Sequence, residues 1–171
     1  MKHSSILAGA IFLFFLTTTV VMAEPFATLV DIPDEMTEES HGEYLNAMTA
    51  KKSMIPSLQE VGFPAYPGAK ILFTQMNNRS NENGTSVDLP KRIYMGTSDS
   101  VQQVTDFYKQ HLNGWKYKKI YGAPTFYKKE GEFKPMEDMT TPRIVIAPEF
   151  RARKLMPTSK TTIDIYYSTD R

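Results

Sequence analysis

The 171-residue sequence contains no cysteine. Disulfides, thiolate metal sites, thiol nucleophiles and redox cycling are excluded, so stability must come from the core and not from cross-links. Histidine is scarce, with only 3 in the chain. None belongs to a His-Glu-x-x-His zinc pattern, and there is no Gly-x-Ser-x-Gly nucleophile elbow, phosphate-cradling glycine loop or Rossmann fingerprint. Neither sign of charge dominates: 20 Lys and Arg stand against 19 Asp and Glu. A general nucleic-acid or anionic-membrane binder needs a positive surplus, and this chain has almost none.

The one long apolar run is at the start. "MKHSSILAGAIFLFFLTTTVVMA" opens with Lys2, continues apolar from Ile6 to Val21 and ends small-x-small at Val21-Met22-Ala23. This is the layout of a signal peptide, with cleavage expected after Ala23. The alternative is a retained anchor, because the run is near the spanning minimum of roughly 17 residues, but no basic cluster follows it. Cleavage leaves residues 24–171, with one basic residue (Lys2) fewer and no acidic residue lost, hence a formal charge of zero. The expected product is exported, periplasmic or extracellular, and soluble, with no membrane insertion once the leader is gone.

Residues 24–62 form an acidic lead-in, rich in Asp and Glu and balanced only by Lys51 and Lys52. Ser40-x-x-Glu43 fits a capping box, Tyr44, Ala47 and Met48 recur at helical spacing, and Pro56 ends the short helix they predict. Residues 63–171 have the pattern of a folded domain. "FPAYPGAKILFTQ" places Pro67-Gly68 at the centre of a type II turn, where glycine supplies the positive φ, and leads into a strand at Ile71–Phe73. "NNRSNENGTS" (77–86) has the composition of a long polar loop. "KRIYMGT" (91–97) is a second strand.

"TSDSVQQVTDFYKQHLNGW" predicts a helix over about Asp99 to Leu112. Ser98 or Asp99 caps it, Val101, Val104, Tyr108 and Leu112 make one apolar stripe, and Asn113-Gly114 stops it. Strands follow at 115–121, 125–129, 143–147 and 161–168, the first two joined by a turn at Gly122-Ala123-Pro124. These elements predict an α+β fold, with a largely antiparallel sheet of about six strands, one main helix on one face and a short N-terminal helix. A right-handed crossover through the main helix would make the sheet locally mixed.

The quoted motifs resemble a recurrent bacterial exported domain, secreted or lipid-anchored and of unknown function, with the pattern YPGA … DSxxVxxFYxxL … GW. The matching residues are Tyr66, Pro67, Gly68 and Ala69, then Thr97, Asp99, Ser100, Val101, Val104, Phe107, Tyr108 and Leu112, and finally Gly114 and Trp115. The resemblance spans about Pro64 to Arg171. It implies export and an α+β fold, and it carries no catalytic residues. The chain departs from lipid-anchored members in lacking the cysteine.

Candidate chemistry is sparse. His111 lies in the last turn of the main helix, where a cation suits the helix dipole, and no partnered nucleophile motif accompanies it. Asp31, Asp34, Glu35, Glu38 and Glu39 lack calcium-loop spacing and read as a solvated lead-in. Met136 and Met139 could offer thioethers to cuprous copper, but without a His–Met cluster they read as gap-fillers. Glu130, Glu132, Glu137 and Asp138 are the only candidates for a paired acid–base site. Arg151–Lys154 is a basic loop in a chain of balanced charge. No cofactor or metal is called for.

The aromatic set is richer. Trp115, Tyr117 and Tyr121 share a strand face with Lys119, and Phe126, Tyr127, Tyr166 and Tyr167 add to it. Interleaved with Lys116, Lys118, Lys128 and Lys129, they could bind a glycan or a polypeptide. The plainer alternative has the aromatics packed under the helix and the lysines on the open sheet face. The candidate binding surface is Tyr66, Lys116, Lys118, Tyr127 and Lys128. The function expected is a non-enzymatic binding or structural module of the cell envelope, its partner an envelope protein or glycan and not nucleic acid. The alternative is a hydrolase acting on an envelope glycan through a carboxylate pair.

Overall fold

The computed structural model describes residues 24–30, 55–76, 79–82, 85–149 and 155–168, with only the backbone for 79–82 and 85–87. The expected leader (1–23), the lead-in helix that begins at Ser40 and the basic loop Arg151–Lys154 lie outside the described residues.

The described residues are mostly sheet with few helices. In chain order the elements are β1 (Thr28–Leu29), α1 (Leu58–Val61), β2 (Lys70–Gln75), β3 (Arg79–Glu82), β4 (Thr85–Asp88), β5 (Lys91–Thr97), α2 (Val101–His111), β6 (Lys116–Ile120), β7 (Ala123–Tyr127), β8 (Arg143–Pro148) and β9 (Thr161–Tyr167). Seven strands make a mixed sheet in the order β1-β2-β5-β9-β8-β7-β6, and β3 and β4 form a separate hairpin. Six of the seven are the strands expected from the sequence. The seventh, β1, runs parallel to β2 and supplies the one parallel pairing; the other pairings in this sheet are antiparallel. Those antiparallel steps make β5 and β6 parallel in direction. The α2 connection therefore crosses β9, β8 and β7, and does not join neighbours.

Alternation along the strands builds the core. Ile93, Met95, Ile144, Ile146, Ile163 and Ile165 are fully buried on one sheet face and meet Val104, Tyr108 and Leu112 of α2. Ile71, Phe126, Tyr66 and Phe63 complete the cluster. The helix forms where expected, one residue later at its start. Ser100 is the N-cap, and its capping box pairs with Gln103, not Gln102. The turn Tyr66-Pro67-Gly68-Ala69 also forms, with Gly68 at φ 75° and Ala69 N–H donating to Tyr66 O at 3.1 Å.

Three features depart from the sequence expectations. Residues 79–88 are not a loop but the β3–β4 hairpin, paired from Arg79↔Asp88 to Glu82↔Thr85. Its polar composition conceals it because it pairs with itself and contributes no stripe to the core. The β6–β7 turn is Tyr121-Gly122, with both φ positive (49° and 83°), so Ala123 and Pro124 already belong to β7. Two residues of that conformation are the primed turn that matches strand twist. Finally, β2 carries a bulge: Ile71 pairs with Met95 and Phe73 with Tyr94, leaving Leu72 extra. Leu72 and Phe73 thereby both reach the face away from α2, where they pack with Leu155 in a second small core.

Candidate binding surface

β6 is the outer strand of the sheet beyond β7, and Lys116 to Lys119 are exposed along it. The register Lys116↔Tyr127, Tyr117↔Phe126 and Lys118↔Thr125 sorts its faces. Phe126 belongs to the helix-side core, so Tyr117 and Lys119 lie on that side and Lys116 and Lys118 on the other.

Tyr127 shares the Lys116 side but is buried at 5 % exposure. The cause is the segment after β7, which folds back so that Phe133 stacks on Tyr127 with ring centroids 5.2 Å apart. The segment is held at both ends. Lys128 N–H donates to Pro142 O at 3.2 Å, and Lys134 N–H donates to Asp138 Oδ2 at 2.7 Å. Lys129 pairs with Asp138, and Lys118 reaches Glu132. Lys116 Nζ donates to Gly131 O at 3.2 Å.

Tyr66 does not belong to this surface. It is buried in the helix-side cluster, edge-on to Phe107 at 5.2 Å, with its hydroxyl donating to Asp99 Oδ2. Of the five candidate residues, the structure brings Lys116, Lys118 and Lys128 together on accessible surface. It withdraws Tyr127 beneath Phe133 and Tyr66 beneath α2.

The aromatic set divides in the same way. Trp115 packs edge-on against Phe63, 5.3 Å between centroids, in the core. Tyr117 is half-exposed, resting on Phe126 with Lys109 Nζ 4.9 Å above its ring. Tyr121 sits in the turn at 90 % exposure and packs on nothing, so the expectation of three aromatics on one strand face holds for neither its end nor its burial. His111 is an exposed helix-end residue whose ring stacks on Phe107 and whose Nδ1 lies 2.8 Å from Phe107 O.

The carboxylates considered as an acid–base pair are engaged one by one with lysines: Glu132 with Lys118, Asp138 with Lys129, Glu137 with Lys134. The Lys118 ammonium holds the Glu132 carboxyl below its ordinary range, and Lys129 with the Lys134 N–H does the same for Asp138. A general acid needs the opposite shift. Met136 is 80 % exposed. No group of three or more His, Asp or Glu side chains able to hold a metal occurs among the described residues. No described helix is long and apolar enough to cross a membrane.

The sequence reading did not anticipate a row of side chains across the middle of the same open face. Arg92 donates two bonds to Asp164, Nε–Oδ1 at 2.7 Å and Nη2–Oδ2 at 2.6 Å. Its guanidinium lies 5.1 Å from the Phe73 ring centre and 5.3 Å from that of Tyr166. Arg143 stacks on the same Tyr166 ring at 3.7 Å and donates from Nη1 to the carbonyls of Met139 and Thr141. Tyr166 is thus clamped between two guanidiniums. The signal was available: Arg92, Arg143, Asp164 and Tyr166 all share strand parity with the open face. Recognising it required the strand order, which the sequence does not supply.

No protein-family model matches the chain, and neither a curated protein nor a solved structure gives a significant match.

Proposed function

We propose that the protein is a non-enzymatic exported module of the cell envelope that binds an envelope protein or glycan. The binding surface is the lysine-bearing outer side of the β6–β7 hairpin, Lys116, Lys118 and Lys128. The observation that carries this reading is the contrast within one patch. The three lysines are exposed, whereas Tyr127 beside them is buried under the 128–142 segment, which makes the patch a fixed scaffold with a cationic surface. The leader-like start and the resemblance to exported domains support the location. The hydrolase alternative is weaker, because the nearby carboxylates Glu132, Glu137 and Asp138 are tied to lysines.

The test is affinity capture from the envelope fraction by residues 24–171, beside a variant with Lys116, Lys118 and Lys128 all replaced by Ser. Capture that falls in the variant supports the reading. Capture that is the same for both removes the lysine surface from consideration.

A further inference from the structure

The backbone of β6 offers more than its lysines do. Lys119 pairs with Pro124, which has no N–H, so this is a non-hydrogen-bonded pair of the β6–β7 ladder. Two residues back, Tyr117↔Phe126 is of the same kind, because the two kinds alternate along an antiparallel ladder. The N–H and C=O groups of Tyr117 and Lys119 therefore point away from β7, out of the sheet. No hydrogen bond to them is found among the described residues. A row of outward backbone groups on an outer strand is a template for one more strand.

We propose that β6 is a docking edge for an extended, acidic polypeptide segment, which adds as an eighth strand through the backbone of Tyr117 and Lys119. The proposal rests on the binding-module reading above and specifies its partner. Charge selects the occupant. Lys116 and Lys118 flank the edge on one side and Lys119 on the other, and neither Lys116 nor Lys119 forms an ion pair among the described residues. A second copy of this strand would set lysines against lysines across the new pairing, which is unfavourable and is how outer strands avoid self-association. A segment with Asp or Glu at alternate positions places its carboxylates opposite those lysines. A glycan would satisfy the lysines but not the regularly spaced backbone groups.

The probe is a synthetic peptide of about six residues alternating Glu and Val, strand length for this edge, with an alternating Lys and Val peptide as control. Residues 24–171 are titrated, with binding read by fluorescence anisotropy and backbone amides by hydrogen exchange. The expected result is binding of the acidic peptide alone, weakening with salt, with new protection at Tyr117 and Lys119 N–H. Lys119→Pro deletes one outward donor at a position whose N–H does not serve the hairpin, and it should weaken binding by about tenfold.

The proposal is overturned if the acidic peptide does not bind, or if it binds with no protection of the Tyr117 and Lys119 amides. The amide readout is made on the unsubstituted protein, so it decides the matter even if Lys119→Pro fails to fold. A concentration-dependent dimer that protects the same two amides would also overturn it, in favour of a second copy. If the peptide fails while lysine-dependent envelope capture persists, the binding-module reading stands and only the edge proposal falls; if both fail, both fall.

Discussion

The Tyr66 hydroxyl donates a 2.7 Å hydrogen bond to Asp99 Oδ2 and so ties the turn before β2 to the residue preceding the N-cap of α2. Asp99 is also joined to β9, because Thr161 Oγ1 donates to its carbonyl at 2.7 Å. One residue outside any regular element thus fastens a turn, a helix and a strand.

Tyr66→Phe is expected to cost about 1–3 kcal/mol, the range for a hydrogen bond to a charged group, measurable by urea unfolding. The alkaline behaviour gives a second readout. Burial first, and then the Asp99 bond, push the Tyr66 phenol from its ordinary 10.0 up to about 12. The fold favours the protonated phenol, so the contribution is complete below pH 10 and drains away as pH rises from 10 towards 12. Tyr108 and Tyr167 are raised in the same direction by burial, so Tyr66→Phe should shallow the alkaline loss of stability without abolishing it. An unaltered slope would contradict this.

Gly68→Val tests the turn. Nothing lies within 4 Å of a Cβ placed there, so the cost comes from the backbone, at φ 75°. A β-branched residue in that region should lose about 1–2 kcal/mol, seen as a lower Tm, and Gly68→Asn should lose less. Equal Tm values for Val and Gly would refute a positive-φ requirement.

Tyr121 poses the opposite case. It holds φ 49° with its side chain in solvent, where Asn or Gly would be the usual residue. Tyr121→Asn should raise stability by up to about 1 kcal/mol. A fall in Tm would mean that the tyrosine ring makes a contact of its own.

Asp138 fastens the segment that covers Tyr127. Its carboxyl is held below the ordinary 3.8, chiefly by Lys129. A lowered carboxyl contributes above its unfolded value and loses that contribution as pH falls below about 3.8. Ring signals of Phe133 and Tyr127 in NMR should therefore lose their stacked shifts on acidification, before global unfolding. In Asp138→Asn they should already be reduced at neutral pH and respond little to acid.

Tyr108→Phe should be nearly neutral. The hydroxyl is fully buried and has no hydrogen bond of ordinary geometry among the described residues, so its removal relieves desolvation and leaves no partner exposed. A loss above about 1 kcal/mol in urea unfolding would reveal an unrecognised bond.

The legible parts of this fold are those whose pattern is local. The α2 stripe of Val104, Tyr108 and Leu112 and the Pro67-Gly68 turn are written in adjacent residues, and both formed. The short helix α1 was also written, since Ser57 accepts from Glu60 N–H and Gly62 ends it at φ 82°, but four residues make too weak a period to notice. What stayed hidden depends on covering elements. Tyr66 looked accessible until Phe107 packed on it, and Tyr127 until Phe133 did. The bulge at Leu72 is invisible because Ile71, Leu72 and Phe73 are all apolar, and any phase suits such a run. Arg92 and Asp164 are 72 positions apart, and nothing local links them.

The position of β9 determines when the molecule can assemble. It is the last strand in chain order, yet it lies between β5 and β8 in the sheet. Until it has been synthesised, β1, β2 and β5 form one fragment and β6, β7 and β8 another, each presenting a bare inner margin to the cell. Neither fragment can bury Ile163 or Ile165 in the meantime, and α2 bridges a gap with nothing beneath its centre. Assembly has to await the arrival of residues 161–167, which makes the nascent chain dependent on protection from stray strand pairing and compatible with travel through a narrow pore before it folds.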